Sequence, residues 1–256
     1  MAERPFYLQL HHYAVHSPTG SAHARADLLA KYNAQADGVE HGNASYAAII
    51  ENMDQTLGRI LNYLEDPDGD GDPSDSIAED TFVIWTSDNG GFIGPTENDP
   101  LRHHKGSFWN GGIRVPLIVW QPGSIPAGSR TDTLVHSVDF YPTLVEAGGL
   151  SMPAGINFDG TSFAGHVNDP IANPRDRGAI FYHFPGYLDQ RARPCEVVLK
   201  RIHGEDYKLI YSYDLAYTGN PSNNEDLEEG LDALAEHWEL YKYYRDISET
   251  DNLLDG

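Results

Sequence analysis

The chain has 256 residues, 40% of them hydrophobic, which is enough to bury the core of one large domain or of one domain plus a smaller one. Its 39 acidic and 17 basic residues give a formal net charge of −22, which argues against nucleic acid or an anionic membrane surface as a partner. The single cysteine, Cys195, excludes an internal disulfide, so a metal site here would have to use oxygen or histidine ligands.

The first elements predicted along the chain are a strand and a long helix. Residues 6–10 are apolar and aromatic and predict a buried strand, which runs into a histidine-rich turn at residues 11–18. Apolar residues recur at three- and four-residue steps over residues 46–64. This spacing predicts an amphipathic helix, with Asn43 or Ser45 available as its cap.

Two further strands and a helix follow. Residues 65–75 form a loop by composition, and β-forming residues predict strands at 81–86 and 115–120. A shorter helix is predicted over residues 138–147, ended by Gly148. The order strand, helix, strand, strand, helix indicates an α/β sandwich.

From about residue 170 the pattern changes to short strands separated by turns. Strands are predicted at residues 179–184, 197–202, 206–213 and 238–244, and the acidic stretch 224–237 alone has helical character. We therefore predict an α/β domain over residues 1–170 and a small, largely antiparallel α+β subdomain over residues 171–256.

The sequence S-D-N-G-G, directly after the strand at 81–86, is a candidate site. In open α/β sheets ligands bind outside the carboxyl ends of the strands, and Asp88 and Asn89 offer the oxygen ligands that calcium prefers. Gly90 and Gly91 let the backbone turn away without a clash from a Cβ atom. The alternative is an ordinary Asx turn, because Asp-Asn-Gly sequences favour turns.

Several segments together resemble the formylglycine-dependent sulfatases of the alkaline phosphatase superfamily. The resemblance rests on H-Y-A-V-H-S-P (residues 12–18), S-D-N-G-G (87–91) and H-K-G-S-F-W-N-G-G-I-R-V-P (104–116). It continues through H-S-V-D-F-Y-P (136–142) and Y-H-F-P-G-Y (182–187) in the family's order. It implies an alkaline-phosphatase-like sandwich with a largely parallel or mixed sheet.

The resemblance also implies roles for individual residues. Asp88 and Asn89 match a pair of metal ligands, usually for calcium. His16 matches a histidine that protonates the leaving oxygen, a role that suits a side chain able to exchange a proton near neutral pH. Lys105 matches the lysine that contacts a sulfate oxygen and offsets its growing negative charge.

Other positions near these motifs are less specific. His104 and His183 are candidates for contacts with the sugar or aryl part of a substrate, and Arg114 is expected to brace its loop. Asn110 stands where the family usually has Glu, which puts the contact made there in doubt.

The acidic loop at residues 66–77 resembles the start of an EF-hand calcium loop. Asp66, Asp68 and Asp70 have the required spacing, but Ile77 occupies the twelfth position, where a bidentate Glu is needed. We therefore interpret it as an acidic surface loop, with weak calcium binding as the alternative.

The family's nucleophile, a formylglycine made within a C-x-P-x-R segment, has no counterpart in the chain. Cys195 lies in P-C-E-V-V-L and is not the nucleophile. The chain is therefore expected to correspond to the C-terminal part of a sulfatase and to be inactive alone. The alternatives are a non-catalytic protein that binds calcium or a sulfated glycan, and a phosphoester or phosphonate hydrolase of the same superfamily.

The expected partner of the complete enzyme is a sulfated small molecule or carbohydrate. No apolar run approaches the roughly 20 residues of a membrane span, and the first ten residues lack the apolar stretch of a signal peptide. The resemblance nevertheless implies a periplasmic or secreted protein, with the export signal expected upstream of residue 1.

Overall fold

A computed structural model describes residues 5–38, 42–186, 188, 192, 194–213 and 237–255. All of the predicted acidic stretch 224–237 except its last residue lies outside the described residues, and so does Tyr187. The α-helices of the described part, in chain order, are α1 (Ala26–Asn33), α2 (Ala44–Glu65), α3 (Asn110–Ile113), α4 (Phe140–Ala147) and α5 (Ala164–Asn168). Short 3₁₀ turns cover Ser21–His23, Pro73–Asp75 and Ser137–Asp139.

The described strands form two antiparallel sheets. Strands β1 (Val83–Thr86) and β2 (Leu117–Trp120) pair with each other, with Val83 opposite Trp120. The second sheet has the order β3-β4-β5-β6, and its strands are β3 (Ala179–Phe184), β4 (Cys195–Ile202), β5 (Glu205–Ser212) and β6 (His237–Lys242). We expected a largely parallel or mixed sheet. In the described part of the chain all pairs of strands are antiparallel.

The predicted long helix is confirmed as α2. Its N-cap is Asn43, whose side-chain oxygen accepts a hydrogen bond of 3.0 Å from the amide of Tyr46 and so satisfies one of the free donors of the first turn. Tyr46, Ile49 and Leu64 of the predicted apolar stripe are buried. The strands predicted around residues 81–86 and 115–120 and the helix at 138–147 are confirmed as β1, β2 and α4.

The predicted buried strand at residues 6–10 is wrong. These residues have no regular secondary structure and are exposed, and Leu8 retains 66% of its accessible surface. β-forming side chains become a strand only where a neighbouring strand supplies partners for the backbone amides and carbonyls. No described strand lies beside residues 6–10.

The four strands predicted after residue 170 are confirmed, and they carry the main hydrophobic core. Val197, Leu199, Ile210 and Tyr241 are at most 3% exposed. Partly buried side chains from an earlier segment, among them Phe108, Trp109 and Ile113, pack against this core. The sheet therefore supports the segment that contains Lys105, whereas the domain boundary at residue 170 stays a prediction.

None of the helices in the described ranges has both the length and the apolar character that crossing a membrane requires.

Candidate active site

The loop that follows β1 is held by its own polar groups and by its neighbours. Ser87 Oγ donates to the carbonyl oxygen of Asn89 at 2.8 Å, and Asn89 Nδ2 donates to the carbonyl of Gly90 at 3.0 Å. The Gly90 amide donates to the carbonyl of Gly112 at 2.9 Å. An Asx turn would use that amide to bind the Asp88 carboxylate, so the turn alternative is not what holds this loop.

The Lys105 segment is bonded directly to the same loop. The Lys105 amide donates to the carbonyl of Gly91 at 2.8 Å. The side-chain amide of Asn98 joins the two segments, since it donates to Gly91 at 3.0 Å and to the carbonyl of His103 at 3.1 Å. The fold thus bonds the segment of Lys105 to the loop of Asp88 and Asn89, which the sequence places in a separate motif.

Glycines are required where these segments touch. A Cβ atom on Gly90 would lie 1.7 Å from the carbonyl oxygen of Gly111. A Cβ atom on Gly111 would lie 1.9 Å from the carbonyl of His103, and one on Gly112 would lie 2.1 Å from that of Ser107. The glycines of N-G-G and S-D-N-G-G therefore pack backbone against backbone, which no other residue type permits.

The two oxygen-bearing side chains of the loop suit a calcium ion. Asp88 is exposed, and no hydrogen bond to its carboxylate occurs within the described residues. Because the Asn89 Nδ2 atom is used by Gly90, the Asn89 Oδ1 atom is left for another partner. A carboxylate and an amide oxygen side by side fit calcium chemistry, although calcium takes six to eight oxygens and this loop offers two side chains.

The histidines next to Lys105 are engaged within the protein. His104 is only 8% exposed, and its Nδ1 atom lies 3.2 Å from the carbonyl oxygen of Lys105. His103 has a positive φ of 61° and stacks on Trp109, with ring centroids 4.3 Å apart. The role of His104 in substrate binding stays a prediction, and its burial leaves little of its surface for a ligand.

The other two predicted histidines lie on the surface. His16 is exposed in its turn, with Nδ1 3.0 Å from the carbonyl of Ser17 and its ring 5.5 Å from that of Tyr13. His183 is on β3, where its Nδ1 atom lies 3.3 Å from a carboxylate oxygen of Glu196. Within the described residues, no hydrogen bond joins His16 or His183 to Asp88 or Lys105, so both roles stay predictions.

Arg114 lies where a brace is expected. It donates to the carbonyl of Tyr243 at 3.2 Å, and its guanidinium lies about 5 Å from the rings of Tyr243 (5.0 Å) and Tyr244 (5.1 Å). These contacts tie the loop after α3 to the C-terminal sheet and direct the guanidinium away from a substrate role.

The sequence reasoning missed a buried cluster of three polar residues, Asn110, Lys208 and Glu249, next to the candidate site. The Asn110 side chain accepts from Lys208 Nζ at 3.2 Å, and the Asn110 amide donates to Glu249 at 2.6 Å. Lys208 and Glu249 form an ion pair of 2.6 Å with both side chains 0% exposed. Burial lowers the pKa of Lys208 and raises that of Glu249, because both charges lose their water. No local pattern marks residues so far apart in sequence as partners.

The acidic loop contains a second group of carboxylates. Oxygen atoms of Asp66, Asp68 and Asp75 all lie within 4.8 Å of one another, and this is the one such group among the residues the structure describes. The Asp66 carboxylate accepts the amides of Gly69 and Gly71 at 2.9 Å each. The loop is therefore organised by its own hydrogen bonds, as expected of an acidic surface loop, and weak calcium binding stays a prediction.

Comparisons with known proteins identify the family. A family model described as "Sulfatase" matches residues 1–150, and one described as "N-sulphoglucosamine sulphohydrolase, C-terminal" matches residues 103–221. A "Sulfatase" of Formosa agariphila is 43% identical over 99% of this chain and 42% of its own length. An N-acetylglucosamine-6-O-sulfatase of Bacteroides thetaiotaomicron is 30% identical over 81% of this chain and 31% of its own.

Solved structures share the fold. Ps i-CgsB in complex with k-i-k-neocarrahexaose superimposes with a TM-score of 0.64 at 21% identity, covering 94% of this chain and 44% of that one. BT4656, in complex with its substrate D-glucosamine-2-N,6-O-disulfate, gives a TM-score of 0.53 at 26% identity, covering 82% of this chain and 36% of that one.

The chain spans less than half the length of these relatives, 42% of the first and 31% of the second. The family match covers residues 1–150 and includes the loop of Asp88 and the segment of Lys105. The resemblance seen in the sequence is thus confirmed, and the chain belongs to the sulfatase family.

Proposed function

We propose that this chain forms part of the active site of a sulfatase that hydrolyses sulfate esters of carbohydrates. The observation that carries the proposal is the bonded contact between the two motifs, in which the Lys105 amide donates to Gly91 and the Gly90 amide donates to Gly112. The contact supports a site in which the Lys105 side chain and the oxygens of Asp88 and Asn89 act together, because their two segments are bonded through the backbone. Two comparisons support a carbohydrate substrate. One matching protein is named N-acetylglucosamine-6-O-sulfatase, and one matching structure holds a sulfated glucosamine as its substrate.

The proposed roles are those that the family resemblance implies, and the charge of each group suits its role. The Lys105 ammonium attracts a sulfate oxygen and offsets the negative charge that grows as the S–O bond breaks. His16 delivers a proton to the departing sugar oxygen, and His183 contacts the sugar. Asp88 and Asn89 supply two oxygen ligands to a calcium ion, which would neutralise negative charge at the sulfate.

A chimaera tests this proposal in a full-length enzyme. The matching part of the Formosa agariphila sulfatase is replaced by this chain, which is 43% identical to it. We expect the chimaera to hydrolyse a sulfated sugar, and we expect Lys105→Ala or Asp88→Ala to lower kcat/KM by about 100-fold or more, as for loss of a group that stabilises developing charge.

Lys200→Ala is the matched control, because Lys200 is an exposed lysine on β4. Its kcat/KM should equal that of the chimaera. A chimaera that keeps full activity after loss of both Lys105 and Asp88 would rule out the proposed roles.

The 256-residue chain by itself is expected to give no turnover. It contains no C-x-P-x-R segment, and its one cysteine is 5% exposed within β4. Positioning and charge stabilisation cannot replace a covalent nucleophile. Hydrolysis of p-nitrophenyl sulfate above background, lost on Lys105→Ala, would contradict this.

Export to the periplasm or the medium, implied by the family resemblance, also stays a prediction.

A further inference from the structure

We propose that the buried ion pair between Lys208 and Glu249 is a positioning device for the metal-ligand loop of Asp88 and Asn89. The proposal rests on the function proposed above for that loop, and it assigns the task of fixing the loop's geometry to two residues that have no role among the candidate site residues.

The pair is unusual in being completely buried. Both side chains are 0% exposed, and Lys208 Nζ lies 2.6 Å from Glu249 Oε1. Burying two charges costs several kcal/mol per ion, and well-packed apolar residues of similar volume often stabilise a protein as well or better. A net gain in stability is therefore a weak explanation for the pair. The positioning of the groups bonded to it is a stronger explanation.

Three hydrogen bonds hold Asn110, and the ion pair supplies two of them. Glu249 Oε2 accepts the Asn110 amide at 2.6 Å, while Lys208 donates to Asn110 Oδ1 at 3.2 Å. The Asn110 Nδ2 atom donates to the carbonyl of Ile247 at 3.1 Å. Asn110 itself is 0% exposed, so no water replaces these partners if they are lost.

Asn110 begins α3, and α3 carries the residues that contact the loop. Gly111, the next residue, lies against Gly90. The carbonyl of Gly112, one residue further on, accepts a hydrogen bond of 2.9 Å from the Gly90 amide. The Gly111 amide also donates to the carbonyl of Arg102 at 2.7 Å, close to the Lys105 segment. A shift of Asn110 is thus transmitted to Gly90, and through it to Asn89 and Asp88.

The contact surface between α3 and the loop amplifies this coupling. Because Gly90 meets the backbone of Gly111 and Gly112 directly, no side chain at this point of contact can adjust its rotamer to absorb a displacement. The loop therefore follows α3 or loses its hydrogen bond to it.

Amide hydrogen exchange on the intact chain tests the device. The double variant Lys208→Met/Glu249→Met leaves no unpaired buried charge but removes two hydrogen-bond partners of Asn110, so it is expected to fold with a lower melting temperature than the parent. We expect the amides of Gly90 and Lys105 to exchange about tenfold faster or more, while amides of the β3–β4 ladder such as Val198 keep their protection.

The matched control is Lys31→Met/Glu51→Met, which removes an exposed lysine–glutamate pair of 2.6 Å between α1 and α2. It should leave exchange at Gly90 and Lys105 unchanged. If the buried double variant does not fold, Asn110→Ser keeps the ion pair and removes the side-chain bonds of Asn110 to Lys208 and Ile247. A local loss of protection at Gly90 and Lys105 is then expected.

Two results would overturn the proposal. Unchanged protection of Gly90 and Lys105 in a folded variant would show that the pair does not position the loop. Equal acceleration in the β3–β4 ladder would show a purely global effect on stability. Exchange is measured without added calcium or substrate, so either result is independent of the chimaera experiment that tests sulfate hydrolysis.

Discussion

Gly90 and Gly111 pack backbone against backbone, so that a Cβ atom on Gly90 would meet the Gly111 carbonyl oxygen at 1.7 Å. This contact joins the loop of Asp88 and Asn89 to α3 and explains why glycine follows the two candidate ligands. The glycine serves close packing between two segments, in addition to the turn that the sequence already indicates.

Gly90→Ala should therefore be strongly destabilising. The methyl group cannot be accommodated without moving the backbone of α3, and we expect the free energy of unfolding to fall by about 1–3 kcal/mol or more. Urea denaturation followed by circular dichroism measures this.

Gly58→Ala is the matched control for that substitution. Gly58 is inside α2, and a Cβ atom there would meet nothing within 4 Å. Alanine is a better helix former, so Gly58→Ala should raise the free energy of unfolding by about 0.5–1 kcal/mol. A Gly90→Ala variant as stable as the parent would show that the contact with Gly111 is not a close one.

Asp139 should make stability depend on pH. Its side chain is 0% exposed and accepts from the amides of His136 and Thr161 and from Arg177, each at 2.9 Å, and from Arg175 at the same distance. Burial alone would raise its pKa, but these hydrogen bonds and charges outweigh burial and hold the pKa below its ordinary value of 3.8.

The sign of the effect follows from linkage. Because the pKa of Asp139 is lower in the folded state, its contribution is present above about pH 4 and is lost as the pH falls through the folded-state pKa. Asp139→Asn should lower the melting temperature at pH 7, and the difference from the parent should shrink below about pH 4. Asp54→Asn, at an exposed position on α2, should change neither the melting temperature at pH 7 nor its dependence on pH. A constant difference from pH 7 to pH 3 would contradict the assignment.

Cys195 should be unreactive in the folded protein. Burial raises the pKa of its thiol to about 12, so at pH 8 almost none of it is the reactive thiolate. We expect no labelling by a disulfide reagent within minutes at pH 8 and complete labelling in guanidinium chloride. Rapid labelling of the native chain would show that β4 opens easily, and would reopen a chemical role for this residue.

Salt should stabilise the chain because its net charge is −22. Self-repulsion weakens as the Debye length falls from about 10 Å at 0.1 M to about 3 Å at 1 M salt. The melting temperature should therefore rise from low salt to about 1 M sodium chloride, measured with a calcium chelator present so that ion binding is not mistaken for screening. A flat or falling curve would remove charge repulsion as a factor. Many of the acidic residues are in two stretches, 66–80 and 225–236. The first is described by the structure, and the second lies outside the described residues.

Local elements followed closely from local sequence. The stripe and cap that predict α2 act within single turns of helix, and the alternation of side chains in the C-terminal strands reports which face of each strand is buried. Residues 6–10 show where this fails. Their side chains favour a strand, but pairing depends on a neighbour that their own sequence does not specify.

The sequence by itself determined the family and named the candidate site residues, because motifs such as S-D-N-G-G and K-G-S-F-W-N-G-G place particular functional groups a fixed number of residues apart. Tertiary structure alone decided that the loop of Asp88 is bonded to the segment of Lys105 and that His104 is buried. It also decided that Lys208 and Glu249 lie beneath Asn110, 98 and 139 residues away from it along the chain. Contacts of this kind depend on how separate elements pack and on the cost of leaving a buried charge unpaired, and neither is recorded in any local stretch of the sequence.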